Sequence, residues 1–247
     1  IIAVLLTSLM FASISEAAPI FYEDFEDLAN ATTITTSNTD FGYVRVGTGG
    51  GSITALAPST VSTGVSMVLV GPTSTSLNGV GEPSGLGLTD QAQLSFLLKI
   101  SDVSAQTLVF GMGSGTMFTG NSTFTGAQFQ FGLQILNGAL QYRDNSGTGG
   151  AWVNAGFNFS ANTTYDISAT SDGPNLQIAI DGNPLTLITN SRNSAPADAF
   201  RIYAVSGAVN YEIDNISVSA IPEPSTIALG TLAGLGFLGY RLRRKQS

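Results

Sequence analysis

Between Ala18 and Ala220 the chain alternates apolar and polar residues with a period of two. No stretch of it carries the 3.6-residue period of an amphipathic helix of useful length. In QLSFLLKI, Leu94, Phe96, Leu98 and Ile100 fall on one face. In QFQFGLQI, Phe129, Phe131, Leu133 and Ile135 point one way, and Gln128, Gln130 and Gln134 the other. Asn137-Gly138 follows at once, the dipeptide of a two-residue type I′ hairpin, in which both positions take positive φ. The return strand ALQYRD puts Leu140 and Tyr142 on one side. A second hairpin runs from TYDISAT through Ser171-Asp172-Gly173-Pro174 into NLQIAID, and Asp181-Gly182-Asn183-Pro184 marks the next turn. FRIYAV and NYEIDNISVSA complete the set. Short strands separated by turn signals predict an all-β antiparallel sandwich.

Composition fits such a body. Charged residues make up only 11% of the 247, well below the roughly 25% of ordinary soluble domains, and there are 29 glycines. Hydroxyls and amides therefore keep much of the surface wet, while 43% hydrophobic residues suffice for a sizeable core. Net charge is −8, unevenly placed: four of the nine bases, Arg241, Arg243, Arg244 and Lys245, close the chain. Setting aside residues 1–17 and 221–247 removes those four bases and two acids, and leaves 15 acids against five bases, a net −10. A body of that sign repels nucleic acid, whose binding rests on Lys and Arg against phosphate. Neutral glycans, cations and other proteins stay open as partners. Cysteine and histidine are both absent, which removes disulfides, thiolate nucleophiles, Ser-His-Asp chemistry and the commonest transition-metal ligand.

The two ends read as targeting segments. Residues 1–14 are apolar, too short a run for a membrane span, and Ser15-Glu16-Ala17 places small residues at −3 and −1 of a cut after Ala17. This is a helical signal peptide over residues 1–17 that lacks its basic start, and it implies signal peptidase as a partner. A buried N-terminal helix is the alternative. At the other end, Ile227–Tyr240 carries no charge. Fourteen residues at about 1.5 Å each fall short of a hydrocarbon core of about 30 Å. With Ser225, Thr226 and snorkelling arginines, a transmembrane helix over 225–240 is reached. The basic tail 241–245 then stays cytoplasmic and the body faces outward. The order Pro222-Glu223-Pro224-Ser225, apolar helix, basic terminus resembles the PEP-CTERM sorting signal of residues 221–247. That resemblance implies export in a Gram-negative bacterium, transient anchoring in the inner membrane, and recognition by an exosortase at the Pro-Glu-Pro site. Delivery to the cell surface or extracellular matrix follows. Physically, neither proline continues a helix, so the triplet is an extended, accessible segment.

Within the body, residues 18–220, FGLQILNGALQYRD, Trp152 and TYDISATSDGPNLQIAIDG resemble the concanavalin A-like or laminin G-like jelly roll. The opening FYEDFED and closing YEIDNISV are similar to the paired terminal strands of many such modules. Residues 30–90 carry no comparable likeness.

Three groups of residues offer chemistry. Glu212 and Asp214 in YEIDNIS resemble the catalytic E-x-D-x-x-E strand of jelly-roll glucanases, but residue 217 is Ser217. A retaining glycosidase needs two opposed carboxyls about 5–5.5 Å apart, and the pattern lacks its acid/base. Glu23, Asp24, Glu26 and Asp27 put four carboxylates in five residues, and a pairing with the last strand brings Asp214 near. Such a group either holds a structural calcium ion, as the resembling modules commonly do, or forms a solvated acidic edge that blocks aggregation. Tyr142, Arg143, Asp144, Asn145 and Trp152 could line a glycan-binding surface, with rings to stack on sugars and polar groups to bond them; the alternative is that Tyr142 and Trp152 are core residues. GTGGGS and GMGSG have no Lys-Ser/Thr ending and read as turns rather than phosphate loops. The expectation is an exported glycan-binding or purely structural surface protein, biofilm components included, and not an enzyme.

Overall fold

Every regular element of the computed structural model is a strand, among the described residues 18–47, 50–73, 77–88, 91–104, 107–114, 129–144, 150–172, 175–189, 196–206 and 209–221. The expected signal peptide over 1–17 and transmembrane helix over 225–240 lie outside them. Residues 18–220 form one compact unit.

In chain order the strands are β1 (Phe21–Glu23), β2 (Tyr43–Arg45), β3 (Ile53–Leu56), β4 (Ser66–Val70) and β5 (Asn78–Glu82). Then come β6 (Gln91–Ile100), β7 (Thr107–Gly113), β8 (Phe129–Leu136), β9 (Ala139–Asp144) and β10 (Ala151–Asn158). The last five are β11 (Thr164–Asp172), β12 (Asn175–Ile180), β13 (Asn183–Pro184), β14 (Ala199–Ser206) and β15 (Asn210–Ala220). One sheet has the order β13-β12-β11-β6-β15-β4-β3, with β1 also on β15. The other has the order β10-β9-β8-β7-β14-β5-β2. All the strand pairs are antiparallel, and their non-sequential order makes a jelly-roll sandwich.

Alternation builds the core. Leu94, Phe96, Leu98 and Ile100 of β6 face Leu108, Phe110 and Met112 of β7 and Phe200 and Ile202 of β14 in one buried cluster. Phe96 and Phe110 meet edge to face at 5.0 Å between ring centres, an arrangement worth about 1 kcal/mol beyond the area it buries. Phe21 of β1 and Phe41 close one end against Phe200. The hairpins form as their dipeptides dictate: Asn137-Gly138 and Asp181-Gly182 all take positive φ. The second hairpin differs in detail, since β11 runs on through Asp172, which pairs with Asn175.

One expectation gives way. GMGSG is no turn at its start, because Gly111 and Gly113 belong to β7 and pair with Arg201 and Ala199. Gln130 and Gln134 of β8, opposite its core residues, are buried as well.

Candidate functional site

Alternation turns Glu212 and Asp214 outward on β15, yet both are buried, because the β3–β4 connection lies against them. The Glu212 carboxylate accepts the Thr60 backbone N–H at 2.6 Å, Ser66 Oγ at 2.8 Å, Ser59 Oγ at 3.3 Å, and the Thr60 hydroxyl as well. Lys99, its neighbour across the ladder, donates to Thr60 Oγ1 at 2.7 Å. Burial pushes the Glu212 pKa up, but these donors and the Lys99 charge outweigh it and hold the group below its ordinary value. Asp214 accepts the Ser62 hydroxyl and the Asn215 backbone N–H. Burial, with the charges of Glu26 and Asp24, pushes it up to about 6.

A bulge between Asp214 and Ser217, with Asn215 at φ 52°, lets Ile216 point into the core and Ser217 pair outward with Ser95. Position 217 therefore shares the outer face with Glu212, as the glucanase-like spacing requires. It offers a hydroxyl where that chemistry needs an acid/base.

The terminal strands pair as expected, Phe21 with Val218 and Glu23 with Ile216. Glu23 accepts the backbone N–H groups of Phe25 at 3.0 Å and Asp40 at 2.7 Å. Glu26 accepts that of Val65, and Asp24 that of Glu26. Asp27 is exposed. Among the described residues no three carboxylates stand close enough together to hold a metal ion. Of the set Glu23, Asp24, Glu26, Asp27 and Asp214, the first three each accept a backbone N–H, and Asp214 accepts one together with the Ser62 hydroxyl.

The opposite outer surface, that of the seven-stranded sheet, is different. Its register lines up two rows. One runs Tyr43, Gly81, Arg201, Gly111 and Gly132, and reaches Arg143 and Trp152 on β9 and β10. The next runs Arg45, Gly79, Tyr203, Val109, Gln134, Gln141 and Asn154. Arg143 and Trp152 are direct cross-strand partners, and the guanidinium lies over the indole, 5.4 Å from its centre. Trp152 is half-buried and packs inward on Leu77, Val109, Ala199 and Tyr203, since Gly111 and Gly132 put no side chain in its row. Beside it Gln134 Nε2 donates to Gln141 Oε1 at 2.5 Å, and Asn154 is exposed. Further along, buried Arg201 sits over the rings of Tyr203 (4.7 Å) and Tyr43 (5.2 Å) and donates to the Tyr43 hydroxyl. Burial foremost, with the like charge of Arg45, holds its pKa down.

Only part of the expected glycan-binding set comes together. Arg143 and Trp152 share the outer face. Tyr142 pairs with Val153 on the inner face and packs against the main core, so it is separated from them by the sheet itself. Asp144 ends β9 on Tyr142's side of the alternation. Asn145 lies outside the described residues. So do the sorting residues Pro222, Glu223, Pro224 and Ser225 and the basic Arg241, Arg243, Arg244 and Lys245. Sequence reasoning missed Tyr43, Arg45, Arg201 and Tyr203. In FRIYAV, Arg201 and Tyr203 do alternate with buried Ile202, but only the pairing with β5 and β7 places them beside the other row.

Comparison with known proteins bears on the two parts separately. Residues 220–245 match the PEP-CTERM protein-sorting motif, which marks an exported protein held transiently at the membrane and sorted to the cell surface. No curated protein matches the chain in sequence. Among solved structures, the fold is similar to part of a sialidase at TM-score 0.58 and 14% identity, over 84% of this chain and 19% of that one. It is also similar to the carbohydrate esterase vb_24B_21 of Shiga toxin-encoding bacteriophage phi24B, again at TM-score 0.58 and 14% identity, over 83% and 99% of the two chains. The carbohydrate recognition domain of Emp47p matches at TM-score 0.55 and 13% identity, over 85% and 99%. The body thus shares the jelly-roll sandwich fold of these structures.

Proposed function

We propose that the sandwich is a non-catalytic glycan-binding module, carried by an exported, exosortase-processed protein to the surface or extracellular matrix of a Gram-negative cell. The observation that carries this reading is the Arg143–Trp152 pair on an outward sheet face, flanked by the amides of Gln141 and Asn154. An aromatic ring beside fixed hydrogen-bonding groups is what a sugar needs, and no cofactor is involved. Similarity of fold to a carbohydrate recognition domain and a carbohydrate esterase supports it. The absence of turnover is supported by Glu212, whose oxygens are occupied by Ser59, Thr60 and Ser66 rather than held ready for a substrate. On this reading the signal peptide and the transmembrane segment over 225–240 are removed during delivery.

Trp152 is the only tryptophan, so its fluorescence reports on the site directly. Titrating the purified full chain with a glycan panel should shift the emission with at least one member. Glu212→Gln should bind with unchanged affinity, and no reducing ends should appear. A spectrum unmoved by every glycan would leave the second reading, a purely structural biofilm or surface protein. That reading is favoured by the outer face of the other sheet, where Ser217, Ser95 and Ser168 line up beside Ser219, Gln93 and Thr170, and the one aromatic in those rows is Tyr22, beside Ser217.

A further inference from the structure

We propose that the glycan taken by the outer face of the seven-stranded sheet is acylated, and that the site reads the carbonyl oxygens of its N-acetyl or O-acetyl groups. This rests on the glycan-binding reading above and narrows it.

On that face Trp152 and Asn154 are alternate residues of β10, and their direct partners on β9 are Arg143 and Gln141. Cross-strand neighbours stand about 5 Å apart, and alternate residues of one strand about 7 Å, so the four side chains make one tile about the breadth of a sugar ring. Trp152 and Gln141 are half-buried and Asn154 is exposed. The atoms left over on this tile are all of one kind. Asn154 Oδ1 accepts the backbone N–H of Gly156 at 2.7 Å. A backbone N–H only donates, so the orientation of this amide is fixed and its Nδ2 is left to donate. Gln141 Oε1 accepts Gln134 Nε2 at 2.5 Å, which leaves Gln141 Nε2 in the same position. The indole Nε1–H of Trp152, a donor only, meets no acceptor among the described residues and is not enclosed. Arg143, engaged over the indole, is not needed in this count. Gln134 keeps an oxygen, but on a buried side chain. The amides of the tile have thus spent their oxygens within the protein and keep their N–H groups.

A sugar hydroxyl brings its own proton, and once water is excluded that proton needs an acceptor. An acyl carbonyl has two lone pairs and no proton, so it satisfies the donors and leaves nothing unpaired. A carboxylate or sulfate matches the donors equally well, but charge decides against it. Residues 18–220 hold 15 acids against five bases, and the low-dielectric interior of the sandwich carries their field to either face. A neutral acceptor escapes that repulsion.

The test pairs glycans that differ in acylation alone, titrated against the full chain with Trp152 emission as the readout. An N-acetylglucosamine oligomer is set against the glucose oligomer of equal length and linkage, and an O-acetylated xylan against the same xylan after mild alkali. A polyuronate is the anionic control. At least one acetylated member should bind about tenfold tighter than its bare counterpart, the equivalent of one or two hydrogen bonds. Which pair shows the difference tells the N-acetyl from the O-acetyl source. Asn154→Asp and Gln141→Glu keep the oxygen that Gly156 or Gln134 bonds and remove the amide donors, so each should abolish most of the preference. Asn158→Asp adds the same charge at the far end of β10 and should leave the preference intact. All three variants should keep the parent's melting temperature. Equal binding of acetylated and bare members overturns the acyl class and leaves glycan binding intact. Tighter binding of the polyuronate than of any acetylated glycan also overturns it. A preference that survives both Asn154→Asp and Gln141→Glu overturns the site, as does one lost equally in Asn158→Asp. Binding to none of the glycans overturns this proposal together with the reading beneath it.

Discussion

Asp214 is a carboxylate held where its charge is disfavoured. Its pKa is about 6 in the folded chain against an ordinary 3.8. Between those values the folded chain keeps a proton that the unfolded chain has released, so stability falls as pH rises through that window and is then constant for this group. Glu212 acts in the opposite sense: held below its ordinary value, it stabilises above that value, and the contribution is lost as pH falls through its folded pKa. Asp214→Asn keeps the Oδ1 acceptor for Asn215 and removes the charge that Glu26 and Asp24 oppose. It should raise urea-unfolding stability by about 1–2 kcal/mol near pH 7.5 and by nothing near pH 4. A gain of equal size at both pH values would mean the charge is irrelevant. The pair Glu212 and Asp214 was visible in the sequence as something to explain. Its explanation was not, because Ser59, Thr60, Ser62 and Ser66 come from about 150 residues earlier and no local pattern links them.

Among the elements, β6, β8, β9, β11, β12, β14 and β15 were legible because each alternates over six residues or more, with at least one face in the core. β2 to β5 were not. They are three to five residues long and too short to show a period, although Ile53, Met67, Leu69 and Val80 join the core. β5 shows what glycine does there. Gly79 pairs with Tyr203, and a Cβ on it would lie 2.5 Å from Tyr203 Cβ and 2.6 Å from the Ile202 carbonyl oxygen. Backbone as well as side chain would have to shift. Gly79→Ala should cost about 2–3 kcal/mol, read as a lower unfolding midpoint, and should loosen the tyrosine under Arg201. A variant as stable as the parent would show that β5 and β14 separate without penalty. The same close approach explains why the Tyr203 face escaped sequence reading: a glycine strand beside it looks like a turn.

At the scale of the whole molecule, the sandwich separates two unlike outer faces, and the sorting motif is a third, independent unit of information. The alternation of the body fixed its fold without reference to its ends, and the match at residues 220–245 addresses the protein without reference to its fold. The two should therefore be separable by experiment. A chain lacking residues 221–247 should lose delivery to the cell surface yet keep the cooperative unfolding of the parent, because every strand and the entire described core lie within 18–220. Replacing Pro222, Glu223 and Pro224 by alanine should also block delivery, while leaving the apolar run and the basic tail to hold the unprocessed chain in the membrane. The informative comparison is between these two variants, by cell fractionation. If the tail were only a hydrophobic anchor, the alanine variant would be delivered like the parent. If it is an address read at Pro-Glu-Pro, the alanine variant accumulates in the inner membrane at full length. The deleted chain, without an anchor to retain it, does not. Retention of the one and not the other ties delivery to the triplet rather than to hydrophobicity.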